Sequence, residues 1–140
     1  MKIKIEHANL CVKDIDAMIH FLQTAFPKFK IRHDAIGADG NRWVHIGTET
    51  IYFALEQATL TPPKPWIPYA GFPGVNHIAF EVENVEEIKT RLTNAGYKNS
   101  TIPNNHPHRK RIYFHDAEGN DWEFVQYLSD ISSERNDYKM

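Results

Sequence analysis

The chain is written twice, and that duplication limits its fold more than any other feature. A shift of 70 positions lays His7 over His77 without a gap. The first copy runs His-Ala-Asn-Leu-Cys-Val-Lys-Asp-Ile-Asp-Ala-Met-Ile-His-Phe-Leu-Gln-Thr-Ala, and the second His-Ile-Ala-Phe-Glu-Val-Glu-Asn-Val-Glu-Glu-Ile-Lys-Thr-Arg-Leu-Thr-Asn-Ala. Leu10 meets Phe80, Val12 meets Val82, Asp14 meets Asn84, Met18 meets Ile88, Leu22 meets Leu92 and Ala25 meets Ala95. A repeat of this kind is one supersecondary unit used twice. With 140 residues in all, the two units make one domain of two small modules.

Each copy opens on a strand. Ala8, Leu10 and Val12 alternate with His7, Asn9 and Cys11, and Ile78, Phe80 and Val82 with His77, Ala79 and Glu81. A helix follows. Asp14 and Asn84 are its N-caps, and Asn84 with Glu87 has capping-box spacing. Apolar residues at 15, 18, 19, 22, 25 and 26, and at 85, 88, 92 and 95, form a one-face stripe. Pro27 and Gly96 are the expected stops. Three further strands are expected in each half: Lys30–Asp34, Arg42–Ile46 and Ile51–Glu56, then Tyr97–Ile102, Lys110–His115 and Asp121–Tyr127. The fold class is therefore α+β, built from two βαβββ modules at 1–58 and 75–128. Between them, 59–74 holds five of the eight prolines (62, 63, 65, 68, 73) and reads as a linker. Its Trp66, Tyr69 and Phe72 either fold over a pocket or pin the linker to the core. Residues 129–140 form a polar tail, expected to be loosely held or to touch a partner.

Composition excludes some functions. A net charge of −2 with no basic run beyond Arg109-Lys110-Arg111 argues against a nucleic-acid binder. No apolar run approaches the ~20 residues of a membrane span, and no signal-peptide pattern opens the chain, so a cytoplasmic protein is expected. Cys11 is the only cysteine, which rules out an internal disulfide.

Strand alternation selects the candidate site. If Leu10 and Val12 pack under the helix, His7 faces the other way. If Phe53 and Leu55 pack inward, Glu56 joins His7 together with Tyr52. If Trp122 and Phe124 pack inward, Glu123 joins His77. Two imidazoles and two carboxylates suit a divalent Zn, Ni, Co, Mn or Fe ion. Trp43, His45 and Tyr52 are candidate linings of an aromatic pocket. His106, His108, Arg109, Arg111 and Tyr113 are candidate substrate contacts at its rim.

With these residues in place, the chain resembles the vicinal oxygen chelate superfamily, the glyoxalase, bleomycin-resistance and dioxygenase type. The likeness runs from Ile5 to about Leu128. It is strongest in His7-Ala-Asn-Leu-Cys-Val-Lys-Asp, in Asn76-His-Ile-Ala-Phe-Glu-Val, and in Phe114-His-Asp-Ala-Glu-Gly-Asn-Asp-Trp-Glu-Phe-Val, where Ala117 replaces a frequent Pro. The resemblance implies a cupped mixed sheet around one metal ion, and a homodimer, sometimes with exchanged modules. It implies the glyoxalase I-like ligand set His7, Glu56, His77 and Glu123, matched position by position. It also implies lyase or isomerase chemistry on a small vicinally oxygenated substrate through an enediolate, with Glu123 first, or Glu56, as general base. Cys11 and Leu60 stand where glutathione-using members carry Arg and Asn, so the glutathione hemithioacetal is not the expected substrate. Two other readings belong to the same family. One is an Fe(II) extradiol dioxygenase using His7 or His77 with Glu123. The other is a metal-free binding protein of the bleomycin-resistance type.

Overall fold

The computed structural model describes residues 3–62 and 64–139. Met1 and Lys2 of the opening, Pro63 of the linker and Met140 of the tail lie outside them. The chain divides into two compact units, Met1–Pro65 and Trp66–Met140. The division falls inside the proline-rich stretch, so the second half of that stretch belongs structurally to module two.

Module one comprises β1 (His7–Val12), α1 (Ile15–Ala25), β2 (Lys30–Ile36), β3 (Arg42–Gly47) and β4 (Tyr52–Gln57). Its sheet has the order β1-β4-β3-β2, so the first and last strands are neighbours. They run parallel, and the other pairs are antiparallel. Asp14 Oδ1 accepts the Ala17 amide at 2.9 Å and starts α1. The helix stops at Ala25, one residue before the Phe26-Pro27 pair that resists helical backbone. Ile15, Met18, Phe21 and Leu22 are buried, and α1 packs on β3 and β4 over Val44, Ile46, Phe53 and Leu55. One apolar face of the sheet is thus closed by the helix, as the alternation requires.

Module two repeats the plan with one strand reduced. It comprises β5 (His77–Glu81), α2 (Val85–Asn94), β6 (Arg109–His115) and β7 (Asp121–Tyr127) in the order β5-β7-β6, followed by a short α3 (Ser132–Arg135). Asn84 caps α2 by accepting from Glu86 and Glu87 amides. Glu87 does not close the box on the backbone; its Oε1 accepts from the Asn84 side-chain amide. Gly96, at φ +84°, ends the helix. The amides of Gly96 and Tyr97 return to Thr93 and Leu92 carbonyls at 3.0 Å, a left-handed cap that favours glycine. The strand expected at Tyr97–Ile102 shrinks to a single bridge between Asn99 and Phe114. The cause is local: Asn99 Oδ1 takes the Thr101 amide, and Pro103 has no amide to continue a ladder.

The β6–β7 turn is tied by one buried carboxylate. Asp116 Oδ1 accepts the amides of Glu118 and Asn120, and its Oδ2 accepts Asn120 Nδ2 and Trp122 Nε1. Trp122 lies in the core with Phe114, Phe124, Ile88 and Leu92. Asp116 therefore fixes the turn and the strand that carries Glu123.

The tail is docked. Arg109 donates to the Arg135 and Asp137 carbonyls, and His106 Nε2 meets the Asp137 carbonyl at 3.0 Å. Arg135 pairs with Glu81 at 2.7 Å and covers the Tyr127 ring at 3.7 Å. Among the described residues no helix is long and apolar enough to cross a membrane.

Replacing Asp116 by Ala orphans the buried Trp122 N–H and several turn amides. It is expected to cost about 3 kcal/mol in chemical unfolding. A loss within about 0.5 kcal/mol would show that the turn holds without it.

Candidate metal and substrate site

The parallel pairing of first and last strands decides which side chains meet. In module two, His77 stands opposite Asp121 and Ala79 opposite Glu123. Residues two apart share a strand face, so His77, Asp121 and Glu123 lie together on the face away from α2. His77 Nε2 is 3.0 Å from Glu123 Oε2, and Glu123 is buried. Tyr113 stands opposite Glu123 on β6 and hydrogen-bonds its carboxylate. Burial, then that bond, pushes the Tyr113 hydroxyl above its ordinary pKa.

The other nitrogen of His77 is held from behind. Tyr69 Oη donates to Asp121 Oδ2 at 3.0 Å and lies 2.9 Å from His77 Nδ1. A hydroxyl whose proton is committed to a carboxylate can only accept from the ring. Nδ1 therefore carries a hydrogen, and Nε2 is the nitrogen turned to the Glu123 carboxylate. Asp121 also accepts from Ser100 Oγ at 2.6 Å, and His115 Nε2 lies 3.7 Å away. Burial, then the bond to Asp121, pushes the Tyr69 pKa up to about 12. Tyr69 reaches this place from the proline-rich stretch by a left-handed backbone, φ 62°, with its amide tied to Asn76 Oδ1 at 2.8 Å. Of the two roles expected for the aromatic residues there, Tyr69 lines a hollow, and Trp66 packs within the stretch on Gly74, where an added Cβ would meet its ring.

Module one obeys the same parity with a different outcome. His7, Tyr52 and Glu56 do share the open face. Yet His7 stands opposite Tyr52, and Glu56 opposite Cys11. The position matching Glu123 is Ala54, opposite Asn9. Glu56 lies two residues beyond it, roughly 7 Å along the strand at the usual rise. Its carboxylate accepts from Asn9 Nδ2 at 2.8 Å and borders a separate hollow with Cys11, Asn41 and Trp43. By the register of module two, the place of Glu123 in module one is taken by Ala54, and Glu56 matches Val125.

His7 nonetheless resembles His77 in one respect. Its Nδ1 is 2.9 Å from the Glu6 carboxylate, which can only accept, so Nδ1 is again the nitrogen that donates. Beside it runs a row of rings. His7 stacks on Tyr52 at 4.8 Å, Tyr52 meets His45 at 4.7 Å, His45 meets Trp43 at 4.9 Å and Trp43 meets His33 at 4.3 Å. Trp43, His45 and Tyr52 are thus brought together. Arg32 and His33 were not foreseen; the bulge in β2 lets Arg32 lie over Tyr52 at 4.2 Å. Burial, then the charges of His33 and Arg32, lowers the His45 pKa.

Of the expected rim contacts, His106 and Arg109 are buried and hold the tail. His108 Nδ1 lies 3.5 Å from Glu134, also on the tail side. Arg111 and Tyr113 do line the hollow beside His77. Ser100, His115 and Asp121 were not foreseen, and Tyr69 only as one of three linker aromatics with two open roles. Asp121 had a signal, since it lies two residues before Glu123 on the same face. The partners of Tyr69 had none, because only the loop geometry delivers it.

As a metal site, the residues fit in chemistry. Each imidazole has Nδ1 fixed as a donor, and a buried carboxylate faces the other nitrogen of one of them. Among the described residues no ready group of three or more His, Cys, Asp or Glu gathers within donor reach.

Residues 4–124 match the model of the Glyoxalase/Bleomycin resistance protein/Dioxygenase superfamily. No curated protein matches the chain. Among solved structures, a glyoxylase/bleomycin resistance protein/dioxygenase domain from Frankia sp. EAN1pec is similar with TM-score 0.77 and 18% identity, covering 98% of this chain and 100% of that one. The fosfomycin resistance protein FosX from Listeria monocytogenes gives 0.71 and 20%, covering 96% and 97%. Its E126Q mutant, complexed with Mn(II) and 1S,2S-dihydroxypropylphosphonic acid, gives 0.67 and 18%, covering 98% and 100%.

A lowered His45 pKa means the unfolded chain binds a proton first as pH falls through about 6.5. Stability is therefore expected to decline with acidification below that pH until the native ring titrates. His45→Gln should remove this part of the slope. An NMR titration placing the native His45 midpoint at or above 6.5 would contradict the assignment.

The match over most of the length, carried on two βαβββ-like modules with mixed sheets, places the chain in the glyoxalase/bleomycin resistance protein/dioxygenase superfamily.

Proposed function

We propose that the chain is a divalent-metal-dependent enzyme of the lyase or isomerase kind, acting on a small substrate with two neighbouring oxygens, and that it works as a homodimer. His7, His77 and Glu123 would be its protein ligands. The observation that carries this reading is the shared state of the two histidines. Both hold Nδ1 as a donor, to Glu6 or to Tyr69, and so turn Nε2 the other way, in His77 toward the buried Glu123 carboxylate. The Mn(II) complex of the FosX mutant supports a divalent ion in this fold.

When bound, the ion would supply Lewis acidity at the two substrate oxygens. Glu123 would supply the anionic ligand and accept the substrate proton. Its burial and its bond from Tyr113 hold it in one orientation. Asp121, through Tyr69, keeps the His77 ring in place. Cys11 and Leu60 offer none of the charge that a glutathione adduct needs. Trp43, His45 and Tyr52 give the open face of module one an aromatic surface instead.

The register of Glu56 favours a second reading. Two histidines and one carboxylate are also the facial set of oxygen-activating iron enzymes. Elemental analysis of untagged protein separates the two. About one Mn, Ni, Co or Zn ion per site supports the lyase or isomerase. Oxygen-sensitive iron supports the dioxygenase. No metal after reconstitution supports a binding protein of the bleomycin-resistance type.

His7→Ala, His77→Ala and Glu123→Gln should each weaken metal binding by at least about 100-fold, whereas Glu56→Ala should retain it within about threefold. Equal losses in Glu56→Ala and His77→Ala would restore the four-ligand site. Tyr69→Phe should lower metal affinity roughly tenfold and shift the His77 ring ¹⁵N resonances away from the Nδ1–H tautomer. Unchanged affinity and resonances would remove Tyr69 from the site.

A further inference from the structure

The open face of module two holds a hollow of about 560 Å³, within the range of small-molecule sites. Its rim is apolar. Ile67, Pro68, Ile102 and Pro103 line it, with Ile67 60% and Ile102 84% exposed. Large aliphatic side chains left in water around one cavity mark a surface that a ligand covers.

The polar groups on its floor already satisfy one another. Asp121 accepts from Tyr69 and Ser100, and Glu123 accepts from Tyr113 and faces His77. Arg111 is the exception. It stands opposite Val125 and shares the β6 face with Tyr113 and His115. It is half-buried and lines the hollow. Among the described residues no carboxylate lies within ion-pairing distance of it. Arg109, next on that face, is instead held by two tail carbonyls. A guanidinium presents five donors and no acceptor, and its charge is costly to enclose without an anion. Its fork matches the paired oxygens of a carboxylate or a phosphoryl group.

We propose that this hollow binds a small organic anion. The oxyanion head would sit on Arg111, and a hydrocarbon or aromatic body would lie against Ile67, Pro68, Ile102 and Pro103. Placing the reacting end of that anion at His77 rests on the function proposed above; binding itself does not.

The test is calorimetric titration of the full chain after chelator treatment, with three probes of one skeleton: 3-phenylpropionate, 2-phenylethylphosphonate and 3-phenylpropanol. Inorganic phosphate serves as the head alone. At least one of the two anions is expected to bind about tenfold more tightly than the alcohol, which corresponds to about 1.4 kcal/mol. Which anion is preferred distinguishes a carboxylate from a phosphoryl substrate. Arg111→Met should abolish the preference. Lys110→Met, an exposed change on the opposite face, should leave it intact. If Arg111→Met fails to fold, two other measurements take its place. Arg111→Lys should weaken the preference, and the Arg111 Nε–H resonance of the unaltered protein should shift on adding the anion. Equal binding of alcohol and anions overturns the proposal, as does a preference that survives Arg111→Met. So does inorganic phosphate binding as tightly as the larger anions, or no saturable binding up to about 10 mM. The same titration on His77→Ala, which should lose metal but keep the anion preference, separates this inference from the metal site.

Discussion

Everything on the two open faces follows from the parallel pairing of each module's first and last strands. A hairpin cannot make that pairing; it needs the helix and the two strands between. Its result is that residues some 45 positions apart become neighbours, and the register chooses which. In module two the choice sets His77 beside Asp121 and one step from Glu123. In module one the same register sets His7 beside Tyr52 and one step from Ala54. A slip of two residues would keep every side chain on its face and change every partner. Parity tells which face a residue takes; register tells whom it meets.

The buried network around His77 shows how a strand pair becomes a chemical device. Asp121 is acceptor-only, so it claims the Tyr69 proton, and Tyr69 must then accept from His77. The orientation passes through three groups in series. Tyr69 arrives from outside the sheet on a left-handed backbone, a conformation that costs about 1 kcal/mol or more for a non-glycine residue. Its amide bond to Asn76 and the packing of Trp66 on Gly74 offset that cost. The second half of the stretch that reads as a linker thus behaves as part of module two.

Much of this was visible in the sequence, and the parts that were not share one cause. The duplicated strand and helix, the caps Asp14 and Asn84, and the stops at Pro27 and Gly96 are local features, and local rules found them. The open-face residues His7, His77 and Glu123 followed from alternation, which is also local. Glu56 shares the parity of Glu123 but not its register, and register depends on a partner strand some 45 residues away. The polar character of His106 and Arg109 does not reveal that they hold the tail, which comes from the far end of the chain. The strand at Tyr97–Ile102 was lost to side-chain bonds from Asn99 and Thr101 that compete with a ladder.

The duplication repeats a backbone but not a chemistry, and matching positions make the difference plain. Where module two has Asp121, Glu123, Tyr113 and Arg111, module one has Tyr52, Ala54, His45 and Trp43. Carboxylates and a cation are replaced by rings and a methyl. A stacked row such as His7–Tyr52–His45–Trp43 offers broad apolar and quadrupolar surface but little fixed charge. The module-two face offers fixed charge, a buried carboxylate and an unpaired guanidinium. Such a division follows physically from one constraint. Two identical faces, each with a buried carboxylate and an unpaired arginine, would double the desolvation cost without adding a second way to grip a ligand. Divergence after duplication leaves one face to hold charge and the other to hold surface, and the histidine at the start of each first strand is the element that both retain.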